Sequence, residues 1–394
     1  MPDKLKIAIA DMSKANWTGG GQYMKDLLYA LRGLEAEVPL EAWILRGANS
    51  HAAEAEGLAH RVIRVDQELR QDQGLTLRLR RSLAARGLLP PEPSPYGELL
   101  RRLGADCLFA AGDYGPRLGL PLVAWIPDFQ HLRLPQMFSP RELRQRDQGF
   151  QRIIEHAQRI VLSSHQALED LKSFSPQGAE KGRVVHFVAH LPPGVRQSDP
   201  ASVCAHYRLP QRFIYLPNQF WAHKNHELVL EALELLKKTR PEVTVVCTGN
   251  TNDFRNPHFF GQLLAQVSAR GLRERFIILG LVEYQHVFHL MRQCLAVLQP
   301  SLFEGWSTTV EEVKSLGKRI VISDIPVHRE QDPPQGLFFD PHDAADLARC
   351  LEQVYDTCSP GPDHQLEDEA AARLPQRSRA FAQKFLNVIK EAMD

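Results

Sequence analysis

The sequence predicts an α/β protein built from two doubly wound parallel sheets. Short apolar runs alternate with longer amphipathic segments along the chain, and this alternation is typical of βαβ units. The length of 394 residues and a hydrophobic fraction of 43% are sufficient for two or three domains with apolar cores. A polar, proline-rich stretch at residues 191–200 interrupts the alternation, so we expect two domains joined by a linker.

The domain boundaries follow from this interruption. Residues 1–195 are expected to form a first Rossmann-like domain and residues 196–373 a second one, while residues 374–394 form a helical segment that is free to pack against the first domain. The strands of both sheets are expected to end toward a central cleft, where ligands bind. The predicted strands are residues 6–10, 42–45, 62–65, 107–110, 122–126, 159–162 and 183–187, then 213–216, 243–248, 276–279, 296–299 and 319–322.

The composition excludes several classes of protein. The 47 Lys and Arg residues balance the 47 Asp and Glu residues, so the chain has no net field that would attract a nucleic acid. The six cysteines are scattered without a C-x-x-C pair, which favours free thiols in a reducing compartment over a zinc site. The sequence has neither the apolar core of a signal peptide nor an apolar run of the roughly 20 residues that span a bilayer. We therefore expect a cytoplasmic protein.

A glycine-rich stretch follows the first predicted strand. The strand ends at Asp11, and the chain passes through Gly19, Gly20 and Gly21 before an amphipathic helix. Glycine lets backbone N–H groups approach a ligand closely, and a helix N-terminus favours negative charge, so this turn suits a phosphate. The glycines lack the G-x-G-x-x-G spacing of dinucleotide-binding folds, which argues against a dehydrogenase.

Polar residues also follow two other strands of the first domain. Asp113 lies in the loop after residues 107–110, and Asp128 and His131 follow residues 122–126. Because the carboxyl ends of parallel strands line the ligand crevice, we expect these side chains to face the cleft. A histidine there can donate a hydrogen bond to a hydroxyl or a phosphate, or relay a proton near pH 7.

The first strand of the second domain leads into a loop with a candidate anion-binding lysine. Lys224 stands between a strand and a helix, where its ammonium group suits a diphosphate, and Asn218 and Gln219 add neutral hydrogen-bond donors. His223 and His226 flank the lysine, but no carboxylate accompanies them at the spacing of a metal site. We therefore expect no metal.

The stretch PSLFEGWSTTVEE at residues 300–312 carries the most specific signal. Glu304 and Glu312 are separated by seven residues, and a carboxylate binds vicinal hydroxyls by accepting two hydrogen bonds. The spacing favours Glu312 over the adjacent Glu311 for the second position. An anion cradle at the start of the following helix is expected from Gly305 and the amides of Ser307, Thr308 and Thr309. Hydroxyl and phosphate binding together indicate a nucleotide sugar.

This stretch resembles the E-x7-E motif of glycosyltransferase family 4, the retaining GT-B enzymes whose domain is called glycosyl transferases group 1. The resemblance covers most of the chain and is strongest from residue 213 to residue 331. It implies that Glu304 contacts the donor sugar and that Glu312 binds the ribose hydroxyls. It also implies that the amides of residues 305–309, including that of Trp306, hold the sugar and diphosphate, which the glycines at 19–21 face from the other domain.

The resemblance is incomplete at the phosphate-binding Arg-x4-Lys pair of this family. Lys224 matches the lysine, but Gln219 stands where the arginine is expected. The lost positive charge would weaken stabilisation of the leaving diphosphate unless another group substitutes for it. The stretches PNQFWAHKNH and SDIPVHREQ are similar to those of bacterial surface-polysaccharide transferases, including mannosyl- and rhamnosyltransferases. The glutamine therefore looks like a trait of that subgroup.

The resemblance implies retaining transfer of a hexosyl unit, mannosyl or rhamnosyl, from a nucleoside-diphosphate sugar. The acceptor would be a saccharide or lipid-linked saccharide in the synthesis of a surface polysaccharide or glycolipid. His131 matches the acceptor-side histidine of the family, so the expected catalytic residues are His131, Lys224 and Glu304, with Asp113 and Asp128 on the acceptor side. The leaving phosphate would accept the proton, without an enzymic nucleophile, a metal or a cofactor.

Two other functions fit fewer of these observations. A nucleotide-sugar epimerase shares the general fold, although its motif spacing matches less well. A sugar-nucleotide-binding pseudoenzyme would account for Gln219.

An arginine-rich segment at residues 75–88 indicates a separate type of contact. As a helix it could dock on anionic lipid at the inner face of the membrane. Alternatively, it is a solvated face whose arginines pair with Glu92 or Glu98. The basic residues are Arg78, Arg80, Arg81 and Arg86.

Overall fold

The computed structural model describes residues 4–13, 18–47, 53–71, 94–253 and 255–394. The chain divides into two compact units. The first consists of Met1–Phe129, Ser139–Val188 and Gln376–Asp394, and the second of Gln130–Phe138 and Ala189–Pro375. Residues 130–138, which the sequence prediction includes in the first domain, thus group with the second unit.

The first unit is built on a parallel sheet with helices between its strands. The strands are β1 (Leu5–Ala10), β2 (Leu40–Arg46), β3 (Arg61–Arg64), β4 (Cys107–Ala110), β5 (Leu122–Ile126), β6 (Arg159–Leu162) and β7 (Gly182–Val184). The seven strands are ordered β3-β2-β1-β4-β5-β6-β7. The helices are Thr18–Arg32, Ala53–Glu56, Val65–Gln71, Pro95–Leu103, Pro140–His156, His165–Phe174 and Pro176–Lys181.

The central strands of this sheet are buried on both faces. Every residue of β4 and β5 is buried, as expected for a parallel sheet covered by helices on both sides. Tyr23, from the first helix, stacks on Trp125 with ring centroids 3.9 Å apart. The indole Nε1 of Trp125 donates to Oγ of Ser163 at 3.0 Å. Aromatic packing therefore fixes the first helix on the sheet.

The end of the chain completes the core of the first unit. The last helix, His364–Met393, contains Pro375, and its residues from Gln376 onward belong to the first unit. Phe385 packs edge-on against Phe109 of β4, with ring centroids 4.8 Å apart. The carboxylate of Glu391 accepts hydrogen bonds from two arginines, Arg159 at 3.2 Å and Arg183 at 2.7 Å.

The second unit repeats the parallel plan. Its strands are β8 (Ile214–Pro217), β9 (Val245–Thr248), β10 (Phe276–Gly280), β11 (Val297–Gln299), β12 (Ile320–Ser323) and β13 (Gly336–Phe339). They are ordered β10-β9-β8-β11-β12-β13. The helices are Gln130–Arg133, Ala201–His206, His226–Leu235, Phe259–Ala269, Tyr284–Gln293, Thr308–Leu316, Pro326–Gln331, Ala344–Thr357 and the first part of His364–Met393, with 3-10 turns at Pro135–Met137 and Ala222–Lys224.

A buried ion pair fixes the entry of the chain into this unit. Arg292 donates from Nε to Oε1 of Glu367 at 2.7 Å and from Nη2 to Oε2 at 3.2 Å. Its Nη1 donates to the carbonyls of Val195 and Ser198 at 2.7 and 2.6 Å. One guanidinium with four hydrogen bonds thus joins the proline-rich linker to the last helix.

The doubly wound α/β architecture predicted from the alternation is confirmed, and the strand boundaries differ from the prediction by a few residues at most. Strand β13 was not predicted. It is the edge strand beside β12, and its apolar run, residues 337–339, is shorter than the runs of about 4–8 residues typical of a buried strand. The six cysteines all lie in the described residues and have free thiols, as expected.

Two other expectations concern the glycine-rich stretch and the arginine-rich segment. Gly19, Gly20 and Gly21 form part of the first helix, Thr18–Arg32, and the expectation of a turn there was wrong. The arginine-rich segment at 75–88 lies outside the described residues. Among the residues described, no helix combines the length and apolar character needed to cross a membrane.

Candidate functional site

The two motif loops of the second unit leave the same edge of its sheet. Strands β8 and β11 are parallel neighbours, and each is followed directly by one of these loops, residues 218–225 and 300–307. Lys224 ends a 3-10 turn in the first loop, and Glu304 lies in the second. The structure brings the two side chains together, with Nζ of Lys224 2.6 Å from Oε1 of Glu304. Both are largely buried, since 15% of the lysine side chain and 10% of the glutamate side chain are exposed.

A glutamine at the end of β11 holds the glutamate in place. Nε2 of Gln299 donates to Oε1 of Glu304 at 2.8 Å and to Oγ of Ser301 at 3.1 Å. Its Oε1 accepts from Nδ2 of Asn218 at 2.9 Å. Asn218, which the sequence suggested as a donor to a ligand, therefore donates to Gln299. Gln299 itself was not predicted, because a buried glutamine at a strand end has no recognisable spacing in the sequence.

Two backbone features hold the lysine loop, residues 218–225, close to its neighbours in the fold. Gly249 has a φ of 145°, and a Cβ at this position would lie 2.2 Å from the carbonyl oxygen of Asn218. Only glycine fits such an approach. Asn225 adopts the left-handed conformation with a φ of 59°, and its Nδ2 donates to the carbonyls of Pro300 and Pro341 at 3.1 and 2.9 Å. The side chain of Asn225 thus ties the lysine loop to the glutamate loop.

The charges of the pair determine its ionisation. Burial alone would raise the pKa of Glu304, but the nearby ammonium of Lys224 and its hydrogen bond hold that pKa below its ordinary value. Glu304 is therefore an anion at neutral pH. Nearby, burial lowers the pKa of His328 to about 4, so this imidazole is neutral. Its Nδ1 lies 2.9 Å from the carbonyl oxygen of Ser323, which is consistent with an Nδ1–H that donates.

The start of helix Thr308–Leu316 is only partly available to a ligand. Ser307 caps the helix, and its Oγ accepts from the amide of Val310 at 3.4 Å. The amide N–H of Ser307 donates to Oε1 of the buried Gln331 at 3.1 Å, and Nε2 of Gln331 donates back to the carbonyl of Ser307 at 3.0 Å. The Ser307 amide is thus engaged within the protein, and its role in an anion cradle stays a prediction. Trp306 and Thr309 are buried, and Gly305 and Thr308 are half-buried.

The two adjacent glutamates of this helix have different surroundings. Glu311 is 1% exposed; its Oε1 accepts from Nε2 of Gln331 at 3.1 Å and lies 3.2 Å from Nζ of Lys314. Glu312 is 6% exposed and accepts from the hydroxyl of Tyr284 at 3.3 Å. Glu311 thus has a structural partner set of its own, and Tyr284 is a neighbour of Glu312 that the sequence did not indicate.

The candidate residues before the linker lie in two different units. Asp113 and Asp128 are in the first unit, and His131 is in the segment that groups with the second. Asp113 lies 2.7 Å from Nδ1 of His156 and accepts from the amide of Gly115 at 2.8 Å. Partial burial would raise the pKa of Asp113, but these hydrogen bonds and nearby positive charge lower it.

Asp128 and His131 have distinct environments. Asp128 lies 3.2 Å from Nη2 of Arg146 in a partly exposed ion pair. His131 is 2% exposed in the short helix Gln130–Arg133. These contacts do not test the acceptor-side roles of Asp128 and His131, which stay predictions.

An arginine that the sequence reading did not single out lies against the lysine loop. The guanidinium of Arg255 lies over the ring of Trp221, 4.9 Å from its centroid, and its Nη2 is 3.5 Å from Nδ1 of His223. Its Nη1 donates to Oε1 of Gln130 at 3.0 Å. These contacts join segments far apart in the chain, so no local pattern could have revealed them.

Comparison with known families identifies part of the second unit. The family model described as glycosyl transferases group 1 matches residues 208–371. This segment, which includes Lys224 and Glu304, is therefore similar to a glycosyl transferases group 1 domain. No curated protein has a sequence that matches this chain significantly.

Solved structures share the fold along the whole chain. HepE of Anabaena, solved with UDP and glucose, has a TM-score of 0.68 at 18% identity, over 98% of this chain and 99% of that chain. The sucrose-phosphate synthase of Thermosynechococcus elongatus has a TM-score of 0.65 at 16% identity, over 98% of each chain. A UDP-forming trehalose-phosphate synthase of Burkholderia xenovorans has a TM-score of 0.62 at 13% identity, over 98% of this chain and 99% of that chain. The fold is therefore GT-B, as predicted.

Proposed function

We propose that this protein is a retaining glycosyltransferase of family 4 that transfers a hexosyl unit from a nucleoside-diphosphate sugar to a hydroxyl acceptor. The observation that carries the proposal is the pair formed by Lys224 and Glu304. These two motif residues come from different loops and meet at one sheet edge, inside the glycosyl transferases group 1 domain. A cation for a diphosphate and a carboxylate for sugar hydroxyls are then adjacent.

The roles of the pair follow from its chemistry. When a donor binds, the ammonium of Lys224 can donate to a phosphate oxygen in place of the carboxylate of Glu304. Both oxygens are anionic and form charge-assisted hydrogen bonds. Glu304 then accepts hydrogen bonds from hydroxyls of the donor sugar, while Gln299 keeps its carboxylate oriented. A fixed cation beside the leaving phosphate stabilises the charge that develops as the glycosidic bond breaks.

Glu312 is the proposed ligand of the ribose hydroxyls. Its neighbour Glu311 already accepts from Gln331 and pairs with Lys314, so a ligand would have to break internal contacts to use it. Glu312 instead has the hydroxyl of Tyr284 at 3.3 Å, a longer contact that a ribose can replace. The assignment favoured by spacing is thus supported by the contacts of both carboxylates.

The proposed reaction needs no covalent enzyme intermediate. The bond between the anomeric carbon and the diphosphate breaks, and the acceptor oxygen forms the new bond on the same face. The proton of the acceptor hydroxyl passes to the leaving phosphate oxygen. His131 is the proposed acceptor-side residue, able to orient the sugar or the acceptor through its imidazole. We expect transfer to be independent of a metal and of any cofactor.

We propose the sugar donor and the acceptor from the similarity of this chain to other proteins. HepE of Anabaena was solved with UDP and with glucose, which makes uridine nucleotides the first donors to test. The similarity of PNQFWAHKNH and SDIPVHREQ to surface-polysaccharide transferases favours mannosyl or rhamnosyl transfer. A saccharide or a lipid-linked saccharide is accordingly the proposed acceptor.

The test is a transfer assay with the purified protein. UDP-glucose, GDP-mannose and dTDP-rhamnose are each incubated with oligosaccharide and lipid-linked acceptors, with and without EDTA. We expect release of nucleoside diphosphate from one donor, and a product that NMR assigns the anomeric configuration of that donor. An inverted product would exclude retention. Conversion of the donor to a different sugar nucleotide would indicate an epimerase, and binding without release from any donor would indicate a pseudoenzyme.

A further inference from the structure

The charge of Lys224 alone gives little stabilisation to a bound diphosphate. Its ammonium lies 2.6 Å from the carboxylate of Glu304, so the pair has little net charge. Gln219, four residues before His223, contributes none. A nucleoside diphosphate gains negative charge as the glycosidic bond breaks, and catalysis improves when positive groups are already in place for that charge. A second positive charge near the same loop would therefore favour diphosphate binding and catalysis.

Arg255 lies against that loop. Its guanidinium lies 4.9 Å from the ring centroid of Trp221, and its Nη2 is 3.5 Å from Nδ1 of His223. Trp221 and His223 stand in the same loop as Gln219 and Lys224. The arginine thus adds a positive charge to the lysine loop from a different part of the sheet, since it follows β9.

The contacts of Arg255 fix its orientation and leave it a cation. Its guanidinium also lies 5.5 Å from the ring centroid of Phe138, and its side chain is only 10% exposed. Asp253 is a carboxylate partner, approached by Nε at 3.4 Å, whereas Nη1 and Nη2 approach the neutral acceptors Gln130 and His223. A phosphate oxygen is a stronger acceptor for a guanidinium than a neutral amide or imidazole.

Both cations lie near the ring of His223. Its Nδ1 is 3.5 Å from Nη2 of Arg255, and Lys224 is the next residue in the chain. Burial lowers the pKa of His223 well below its ordinary value, and the charges of Lys224 and Arg255 lower it further. The imidazole is therefore neutral and adds no charge of its own.

We infer that Arg255 is the second cation of the diphosphate site, in the role that Gln219 cannot fill. This inference rests on the proposed function, because it assumes a nucleoside diphosphate beside Lys224. The planar guanidinium, which lies near the rings of Trp221 and Phe138, is oriented before the ligand arrives, so little side-chain entropy is lost on binding.

The experiment compares nucleoside diphosphates with their nucleosides. Calorimetry measures the binding of UDP, GDP, dTDP and ADP, and of the matching nucleosides, to the wild-type protein and to Arg255→Gln. For the diphosphate that binds most tightly, we expect Arg255→Gln to lower the affinity about 10- to 100-fold, the effect of losing a charged hydrogen bond. The affinity for the nucleoside should stay within about twofold, since it has no phosphate. Arg240→Gln, which removes a half-buried arginine that pairs with Asp356, is the control and should bind like wild type.

The outcomes separate this inference from the proposed function. If wild type binds a diphosphate and Arg255→Gln binds it equally well, the inference is wrong and the proposed function stands. Equal losses for the diphosphate and the nucleoside would mean a structural role and would also overturn the inference. If wild type binds no nucleoside diphosphate, both fail. Should Arg255→Gln not fold, Arg255→Met, which also removes the charge and keeps an unbranched side chain, is compared with wild type in the same way.

Discussion

Lys224 and Glu304 form a buried ion pair in which each charge compensates the other. Their charged atoms are 2.6 Å apart and largely shielded from water, and breaking a buried pair costs more than losing its attraction, because one charge stays buried. We expect Lys224→Met to lower the free energy of unfolding by about 3 kcal/mol and to reduce transfer at least ~100-fold.

A second variant separates stability from catalysis at this pair. Lys224→Met combined with Glu304→Gln removes both charges, so most of the lost stability should return while transfer stays low. Chemical denaturation and initial rates measure the two effects. Lys238→Met, at an exposed position in the same unit, is the matched control. Transfer by Lys224→Met within tenfold of wild type would remove the lysine from the donor site.

The adjacent glutamates of the helix Thr308–Leu316 should respond differently to the same change. Glu312→Gln is expected to weaken nucleoside diphosphate binding about tenfold, as expected for loss of a charged acceptor, with little change in thermal stability. Glu311→Gln removes the charge that faces Lys314, so it should lower the melting temperature and leave nucleotide affinity unchanged. Calorimetry and thermal melts check both. The reverse pattern would assign the ribose to Glu311.

Two fully buried tyrosines form a natural comparison. The hydroxyl of Tyr23 makes no hydrogen bond within the described residues, whereas that of Tyr215 lies 2.6 Å from Oγ1 of Thr248. A buried hydroxyl without a partner is destabilising, so Tyr23→Phe should preserve or raise the free energy of unfolding. Tyr215→Phe should lower it by about 1 to 2 kcal/mol. Urea denaturation checks both, and a loss from Tyr23→Phe as large as that from Tyr215→Phe would contradict the comparison.

Buried neutral histidines should make the protein less stable in acid. Burial lowers the pKa of His226 to about 3, and a nearby Lys224 adds to the effect. In the unfolded chain His226 therefore binds a proton below about pH 6.5, whereas in the folded chain it binds one only below about pH 3. Stability is constant above that window and falls with decreasing pH within it, by up to about 1.4 kcal/mol per pH unit for this residue.

The contribution of His226 can be isolated by substitution. The ring stacks on Phe220 with centroids 4.5 Å apart, so His226→Phe keeps the packing and removes the titration. Between pH 7.5 and pH 5, wild type should lose about 2 kcal/mol more than the variant. Denaturation curves at the two pH values measure this difference. Equal losses in the two proteins would show that His226 is charged in the folded state or does not contribute.

Arg292 is expected to be the most sensitive single position of the linker region. It is 2% exposed and makes four hydrogen bonds, two of them to Glu367. Arg292→Met leaves the buried carboxylate of Glu367 without its cation and removes a donor from two carbonyls, so it should lower the free energy of unfolding by about 3 to 5 kcal/mol. Arg240→Met, at an exposed ion pair, should have little effect. Guanidinium denaturation of both variants provides the measurement.

Sequence patterns revealed the parts of the molecule that depend on local order. Strands such as β4 and β5 are continuous apolar runs because both faces are covered, so their bounds were predicted without error. Lys224 and Glu304 were predicted because strand ends and motif spacing are local features. Edge strand β13 was not predicted because its apolar run has only three residues, fewer than the roughly 4–8 residues that indicate a buried strand.

The remaining site contacts depend on residues that are distant in the chain. Gln331 lies 24 residues from Ser307, whose amide it occupies, and Arg255 lies 125 residues from Gln130. A sequence offers the amides of a helix start as free donors, because it cannot show which side chain from elsewhere uses them. Gln299 was overlooked for a similar reason, since an amide at a strand end is recognisable as functional only with its partners in view.

The return of the chain to the first unit also has a consequence for biosynthesis. Phe381 and Phe385 are at most 1% exposed, and both are part of the first unit although they lie near the end of the chain. Domains generally fold in the order in which they are synthesised, N-terminal first. Here Phe381 and Phe385 are synthesised after residues 189–375 of the second unit, so the core of the unit whose translation begins first is completed only after the second unit has been made.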